Sequence, residues 1–593
     1  MKAKYLLGAG AAAVALAGLG FEARERLDAE APFMKPLAMW SSICGKNPGA
    51  EAKRRAYFAR IGQAIAAQTG PVKLAPDATP ERIGGIAYEI KTANPSAQMH
   101  FDRGLAHMWN FNHGGAIAEF KAAQAADPQC AMCFWAEGFA LGPNINAPMA
   151  DDAVAPAYAA TKKARELAKG ATEKERALID ALAKRYSAAP VKDRSKLDAA
   201  FADAMDAVAK KYPDDDFIQV TAAEANMDTQ PWDYWEADGR TPKGRAGRTL
   251  SLIEAVLARR PMNQAAIHLY IHATEATRDP YRSVPYADKL AGLSPGLGHL
   301  IHMPSHVYYR IGRFKQSADL NVQAAAADEA FLAANKAEPM FEFGYYVHNL
   351  HFTMMASLMG GDGATALTMA EKLDAKLPLQ MAVDVPFAQP IKIAPYYVWA
   401  TFGDAADVLA LKDPGNDAPF VKAAWHYARG EALARKGDAA GARRESEAIA
   451  RIAAEEDLSP LLEINIPAAD ILQIERLTVI ARAAAVENDI ATAIEAMEKV
   501  VALQEGLNYT EPPYWYYPAK QTLAALVLRK GDAERAEQLF METLAEAPNS
   551  GWALHGLAAA YKAQGEKSGQ KYANALFKEA WIGDAKAISL AKL

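Results

Sequence analysis

The chain has few cysteines, no surplus of positive charge and only one long uncharged apolar run. Each shortage removes a class of protein. Three cysteines in 593 residues are too few for a disulfide-built scaffold. Lys and Arg number 65 against 71 Asp and Glu, a net charge of −6. No basic field is present to neutralise a phosphate backbone, so nucleic acid is excluded as a partner. The mean hydropathy is −0.14 and the one uncharged apolar run is Leu6–Phe21, which rules out a polytopic membrane protein. Long apolar–polar alternation is missing, so nothing predicts a sheet. With 51% hydrophobic and 23% charged residues, the chain has the balance of a folded protein and not of a disordered one.

The start of the chain is an address. Met1 to Tyr5 carries two lysines and leads into Leu6–Phe21, the order of a secretory signal. The expectation is a signal peptide or N-terminal anchor over 1–21, with Ala15-Leu16-Ala17 as a possible cleavage site. The protein is then periplasmic or otherwise exported, and that anchor is its one possible tie to the membrane. Cys44 lies too far beyond the apolar run to be a lipoprotein cysteine.

What is abundant is alanine, roughly a fifth of the residues, together with Leu, Glu and Lys, a helix-forming mixture. From Leu523 to Pro548, Gly531 ends one helix, Ala533 to Ala536 opens the next, and Phe540 and Leu544 extend an apolar face. Asn549 to Leu554 begins another helix, with Gly556, Leu557, Ala558 and Tyr561 on its inner side. This unit resembles a tetratricopeptide repeat (TPR), the 34-residue helix-turn-helix module in which small residues let paired helices approach. Gly104–Pro128, Gly430–Ala450 and Leu477–Leu503 read as further copies. Weaker ones run over Phe201–Pro213, Leu250–Pro261, Tyr309–Ala327 and Met354–Leu377. The expected fold is all-α, a TPR-like α-solenoid of about eight or nine helical hairpins. Two aromatic insertions interrupt it, Gln230–Arg240 and Asn508–Pro518. The chain divides into the signal or anchor (1–21), an N-terminal helical or linker region (22–95), N-terminal repeats (96–230), central degenerate repeats (231–400) and C-terminal repeats (401–593). Each aromatic insertion reads equally as a plug between stretches of solenoid or as the lining of a pocket.

Histidine is unevenly placed. Seven of the 12 lie between residues 268 and 351, where an even scatter would put fewer than two. His268 and His272 are four residues apart on a predicted helix, so both imidazoles share a face and suit one metal ion. Glu275 follows as a third ligand or a base. The order is not His-Glu-x-x-His, so zinc-protease chemistry is unsupported. His299, His302 and His306 form a second group. Pro304 is expected in the first turn of a helix, which leaves His299 and His302 in the preceding loop and turns Arg310 toward His306. His348 and His351 form a third group on one face. The groups are spaced by about one repeat, so stacked helices would bring them together on the concave side. Neutral imidazole is a common ligand for copper and zinc, and the methionines beside these histidines lean toward copper. The competing reading is a set of buried histidines bonded to backbone and carboxylates.

A second candidate site gathers His100, His107 and His113 with the Cys130–Cys133 pair. The cysteines read as a disulfide, a metal clip, a redox couple, or simply two small buried residues. Phe134 stands where a c-type haem would need histidine.

Several motifs together resemble a group of exported bacterial TPR proteins with histidine-rich segments. They are Phe111-Asn-His113, Asp127–Cys133, Gly142–Asn146, Pro231–Trp235, His268–Glu275, His299–Arg313, His348–His351 and Glu511–Tyr517. The resemblance covers most of the chain after the signal segment and implies architecture without an activity. The TPR superfamily implies a groove that binds proteins or peptides. Here that groove carries histidine where lysine, arginine and asparagine clamps would be expected. Three functions compete: metal handling or metal-dependent chemistry, a metal-free protein scaffold, and an enzyme using histidine as acid or base with Glu275 or Arg310. No nucleophile motif or phosphate-binding loop stands near the cluster, and Gly360–Gly363 reads as a helix–helix turn.

Overall fold

A computed structural model of the protein describes residues 86–335 and 340–593. The expected signal segment with its cleavage site, Cys44 and residues 22–85 lie outside the described residues. The chain is an all-α, TPR-like solenoid. Among the described residues the only strand-like pairings are two isolated bridges, Asn144–Ala147 and Trp235–Pro242. No described helix is long and apolar enough to cross a membrane.

The hairpins follow from a short turn code. A left-handed residue ends one helix, and the next side chain caps the helix that follows. Gly531 (φ +100°) closes Lys520–Lys530, and Asp532 then accepts from the Arg535 backbone N–H at the head of Ala533–Glu546. The pairs Gly361-Asp362, Gly437-Asp438 and Asn488-Asp489 repeat the device. Gly360–Gly363 is therefore the helix–helix turn expected of it.

Between the helices, small residues face large ones. Gly104 meets the Phe120 ring, Gly430 meets Val479, and Gly556 meets the Phe540 ring. In each case a Cβ would lie within 3 Å of the opposing side chain, so the pairing depends on its absence. Successive helices pack on one another from Pro95–Trp109 to Lys567–Ala580.

The buried apolar residues form two large clusters, one running from Ile90 to Tyr345 and the other from Phe314 to Leu593. Their seam falls near residues 314–346. The C-terminal hairpins return across this seam. Asn549 Nδ2 donates to the Gly312 carbonyl (3.2 Å), Trp552 Nε1 to the Leu358 carbonyl (3.1 Å), and the Ile582 N–H to the Gly360 carbonyl (2.9 Å). The central helices, which carry the histidines, are thus covered by the end of the chain.

The packing predicts opposite outcomes for two Gly→Ala changes. At Gly556 the new Cβ would stand 2.1 Å from the Phe540 ring, so Gly556→Ala should cost about 1–3 kcal/mol in urea unfolding. Gly506 ends the Ile490–Gly506 helix with nothing within 4 Å. Gly506→Ala should be neutral or stabilising by up to about 1 kcal/mol. Equal midpoints for the two variants would contradict the small-against-large account.

Candidate metal centre

Gln264–Thr274 is buried along its whole length, with Asn263 capping its N-terminus. One turn separates His268 from His272, as the spacing predicts, and Glu275 follows as the C-terminal cap. Residues 299 and 302 are not in a loop. They belong to a short helix, Gly298–His302, which continues through Met303 into Pro304–Arg310. Met303 keeps right-handed helical angles, so the proline lets one helical segment run into the next. His299, His302 and His306 therefore project in helical register. His348 enters from Tyr346–Gly360, preceded by a π-helical turn at Met340–Tyr345, a geometry often found at functional sites.

Eight side chains meet. His268, His272 and His299 place one ligand atom each within 4.8 Å of one another. His302, His306 and His348 do the same, as do Glu275, His306 and Glu511. Glu511 comes from the 508–518 aromatic loop, more than 200 residues beyond the histidines it joins. Within the sets, His268 Nε2 lies 3.1 Å from His299 Nε2, and His302 Nε2 lies 2.6 Å from His306 Nε2. Glu275 Oε1 is 3.0 Å from His272 Nδ1, and Glu275 Oε2 is 2.6 Å from His306 Nδ1. Glu511 Oε2 closes on the same nitrogen.

The environment keeps the imidazoles in their ligand form. Burial holds His268 and His306 down to about 3, and His272, His299, His302 and His348 well below the ordinary histidine range, with neighbouring histidines adding to the effect for all but His306. Burial pushes Glu275 up to about 7, and it raises Glu511 too, with the Glu275 charge adding. Removing these groups from water favours their neutral forms.

Several hydrogen bonds within this crowd are unmade. Asn321 Nδ2 donates to the Ser317 carbonyl (2.7 Å), so its Oδ1 takes the His302 Nδ1 proton (2.5 Å). That leaves a bare lone pair on His302 Nε2, aimed at His306 Nε2. If His306 carries its proton on Nδ1, two lone pairs face each other at 2.6 Å. If it carries the proton on Nε2, it donates to His302, and its Nδ1 lone pair faces the two carboxyl groups that burial pushes toward their neutral form. His272 Nε2 and His306 Nδ1 are buried without a hydrogen-bond partner, while the Glu275 and Glu511 carboxyl groups bond to each other. The 2.6 Å approach of His306 Nδ1 to Glu275 thus lacks hydrogen-bond geometry. Converging imidazole nitrogens and carboxyl oxygens are the donor set of a cation site.

Two aromatic residues hold the first set from opposite sides, and both have positive φ. Phe111 (φ 54°) places its ring 4.5 Å from His268, 5.1 Å from His299 and 5.9 Å from His272. Trp232 (φ 64°) sets its ring edge 5.3 Å from His272. Asn112 follows Phe111 and caps His113–Ala126, so Phe111 occupies the turn position that Gly361, Gly437 and Gly531 take elsewhere. An aromatic residue there costs about 1–3 kcal/mol of backbone strain. Phe352 packs among His302, His306 and His348, and Tyr345 against His299.

Some expected members do not join. His351 is buried on the same helix as His348 yet belongs to none of the three sets, and Phe352 fills the space instead. Arg310 donates to the Glu275 and Thr277 backbone carbonyls and lies over Tyr509. It anchors backbone and does not face the imidazoles as expected. The second candidate site does not assemble. Cys130 and Cys133 form a buried disulfide, and Cys130 Sγ also caps the Ala131–Ala140 helix. His100 pairs with Glu119 (2.7 Å), His107 accepts from Asn112 (3.3 Å), and His113 sits between the Ala140 carbonyl (2.8 Å) and Asn144 (3.0 Å). Residue spacing does not point to Asn321, Phe111 or the place of Glu511 beside His306, since nothing local links them to the histidines.

No family model matches the chain, and no curated protein matches its sequence. Among solved structures it is similar to the APC/C hetero-tetramer Cut9–Hcn1, with 13% identity, 91% of this chain and 86% of that one covered, and a TM-score of 0.29. It is also similar to yeast Tom70 (11%, 90% and 96%, 0.26) and to the human IFIT1 dimer with m7Gppp-AAAA (12%, 87% and 99%, 0.28). Likeness at this level carries no argument, and the solenoid assignment rests on the chain's own helix pairing.

His113 gives a pH test outside the cluster. Burial lowers it to about 4, below the 6.5 of an exposed histidine, so the unfolded chain takes up the proton first. The stability it contributes is full above about pH 6.5 and is lost as pH falls from there toward 4. Between about pH 7.5 and pH 5 the wild type should lose about 2 kcal/mol more than His113→Gln in chemical unfolding. Parallel pH profiles would refute the buried neutral assignment.

Proposed function

We propose that this is an exported helical-repeat protein holding a multinuclear transition-metal centre, used for metal handling or metal-dependent chemistry. One observation carries the reading. Six histidines and two glutamates from four separate parts of the chain converge in three sets of metal-ligand atoms, several of them buried without a hydrogen-bond partner. Two sets are all imidazole, which suits copper or zinc, and the third is one imidazole with two carboxylates. Asn321 on His302 and Glu275 on His272 fix which ring nitrogen each histidine turns toward the set, as outer-shell partners of metal ligands do. The basic start and apolar run over 1–21 support export, and the Cys130–Cys133 disulfide suits an oxidising compartment.

A second reading, attachment of protein partners, is favoured by a separate observation. The Pro386–Ala388 turn packs against Ser459–Leu462, where Val385, Phe387, Leu462 and Ile464 are exposed together, Phe387 by 66%. Exposed apolar patches of this kind mark contact surfaces. At the histidine cluster itself, the inner face is filled by the chain's own 508–518 loop.

Protein purified without an affinity tag should retain about two or more equivalents of transition metal by elemental analysis, reduced in His272→Ala and His306→Ala. Less than about a tenth of an equivalent, with no gain on reconstitution, would end the metal reading. Asn321→Leu should weaken metal about 10- to 100-fold in chelator competition while leaving the protein folded. Unchanged affinity would remove Asn321 from the account.

A further inference from the structure

His306 differs from every other histidine in the cluster. It is the one residue that belongs to two of the three sets. His272 and His302 each have Nδ1 engaged by an outer partner, Glu275 at 3.0 Å and Asn321 at 2.5 Å, which leaves Nε2 as the ligand atom. His306 has no such outer partner. Its Nε2 faces His302 Nε2 at 2.6 Å, and its Nδ1 faces Glu275 at 2.6 Å and Glu511, without the angles of a hydrogen bond. Its side chain is 3% exposed.

Resting on the metal reading above, we propose that the His306 ring is a bridge between two metal ions, one in the His302/His306/His348 set and one in the Glu275/His306/Glu511 set. The first ion takes the Nε2 lone pair of neutral imidazole. The second takes the place of the Nδ1 proton, which leaves to solvent, and the ring becomes an imidazolate. The charges are consistent with this. Two divalent ions bring four positive charges, and the imidazolate with two carboxylates returns three in a site otherwise closed to counterions. The two positions differ in chemistry. The all-imidazole set suits copper, while the set with two carboxylates accepts harder divalent ions, zinc among them. Glu511 makes the second position depend on the far end of the chain, because the 508–518 loop must be seated for that set to exist.

The test uses the full chain, stripped of metal and loaded to saturation with Cu(II). Two copper ions sharing one imidazolate couple magnetically, so the electron paramagnetic resonance (EPR) spin count should fall short of bound copper by two per protein. Glu511→Gln should bind one copper fewer, and its spin count should equal its copper content. Reloading with one equivalent of Cu(II) followed by Zn(II) should restore the signal in wild type. Anomalous diffraction from the wild-type copper form should place a peak in line with each ring nitrogen of His306, which keeps the proposal testable if Glu511→Gln does not fold. A wild-type spin count equal to bound copper, a deficit that persists in Glu511→Gln, or a peak at one nitrogen alone would overturn the bridge while leaving the metal centre standing. Failure to bind copper or zinc at all would overturn the metal reading itself.

Discussion

The structure turns on one constraint: six uncharged imidazoles and two carboxyl groups are buried against each other. Desolvation strips the charge from the histidines and raises the glutamates. Ring nitrogens that would be hydrated elsewhere are left without a hydrogen-bond partner. Burying so many polar groups together costs stability that an apolar core would not. A buried apolar cluster of the same volume would serve the fold alone at less cost. The proposed metal centre would give this polar crowd a use that a plain core would not.

The surroundings carry the same signature. Among the described residues, three of the non-glycine positions with positive φ are asparagine, the ordinary occupant, and the other two are Phe111 and Trp232. Both touch His272. Backbone strain at a turn is tolerated where the side chain it delivers is needed, and here the two strained turns deliver rings to one imidazole. The seam between the two apolar clusters lies beside the site. Glu511 from the C-terminal half completes it, while Asn549 and Trp552 tie the same half to Gly312 and Leu358. Seating of the C-terminal hairpins and completion of the ligand shell are consequently one event, and bound metal would stabilise both by mass action.

Much of this was legible in the residues. The glycine-aspartate turns and the small-against-large helix faces gave the solenoid, because those signals act within one hairpin. The four-residue spacing of His268 and His272 gave their shared face for the same reason. Spacing failed where the chemistry is long-range. His299 and His302 read as loop because Pro304 looks like a fresh helix start, whereas Met303 keeps helical angles and joins the two segments. His351 shares a helix with His348 but joins none of the three sets. Glu511 was read only as part of an aromatic loop, since its partners lie more than 200 residues away. The Cys130–Cys133 pair offered several chemistries in sequence, and the structure selects a buried disulfide at a helix cap.

The central claim is that the buried histidine–glutamate cluster binds transition metal through ring nitrogens and carboxylate oxygens. X-ray absorption at the copper or zinc edge of the loaded protein tests it most directly. The account predicts a first shell of nitrogen and oxygen alone, with the outer-shell scattering of several imidazoles per ion, both diminished together in His272→Ala and His306→Ala. A sulfur shell, or a shell of oxygen without imidazole scattering, would contradict it.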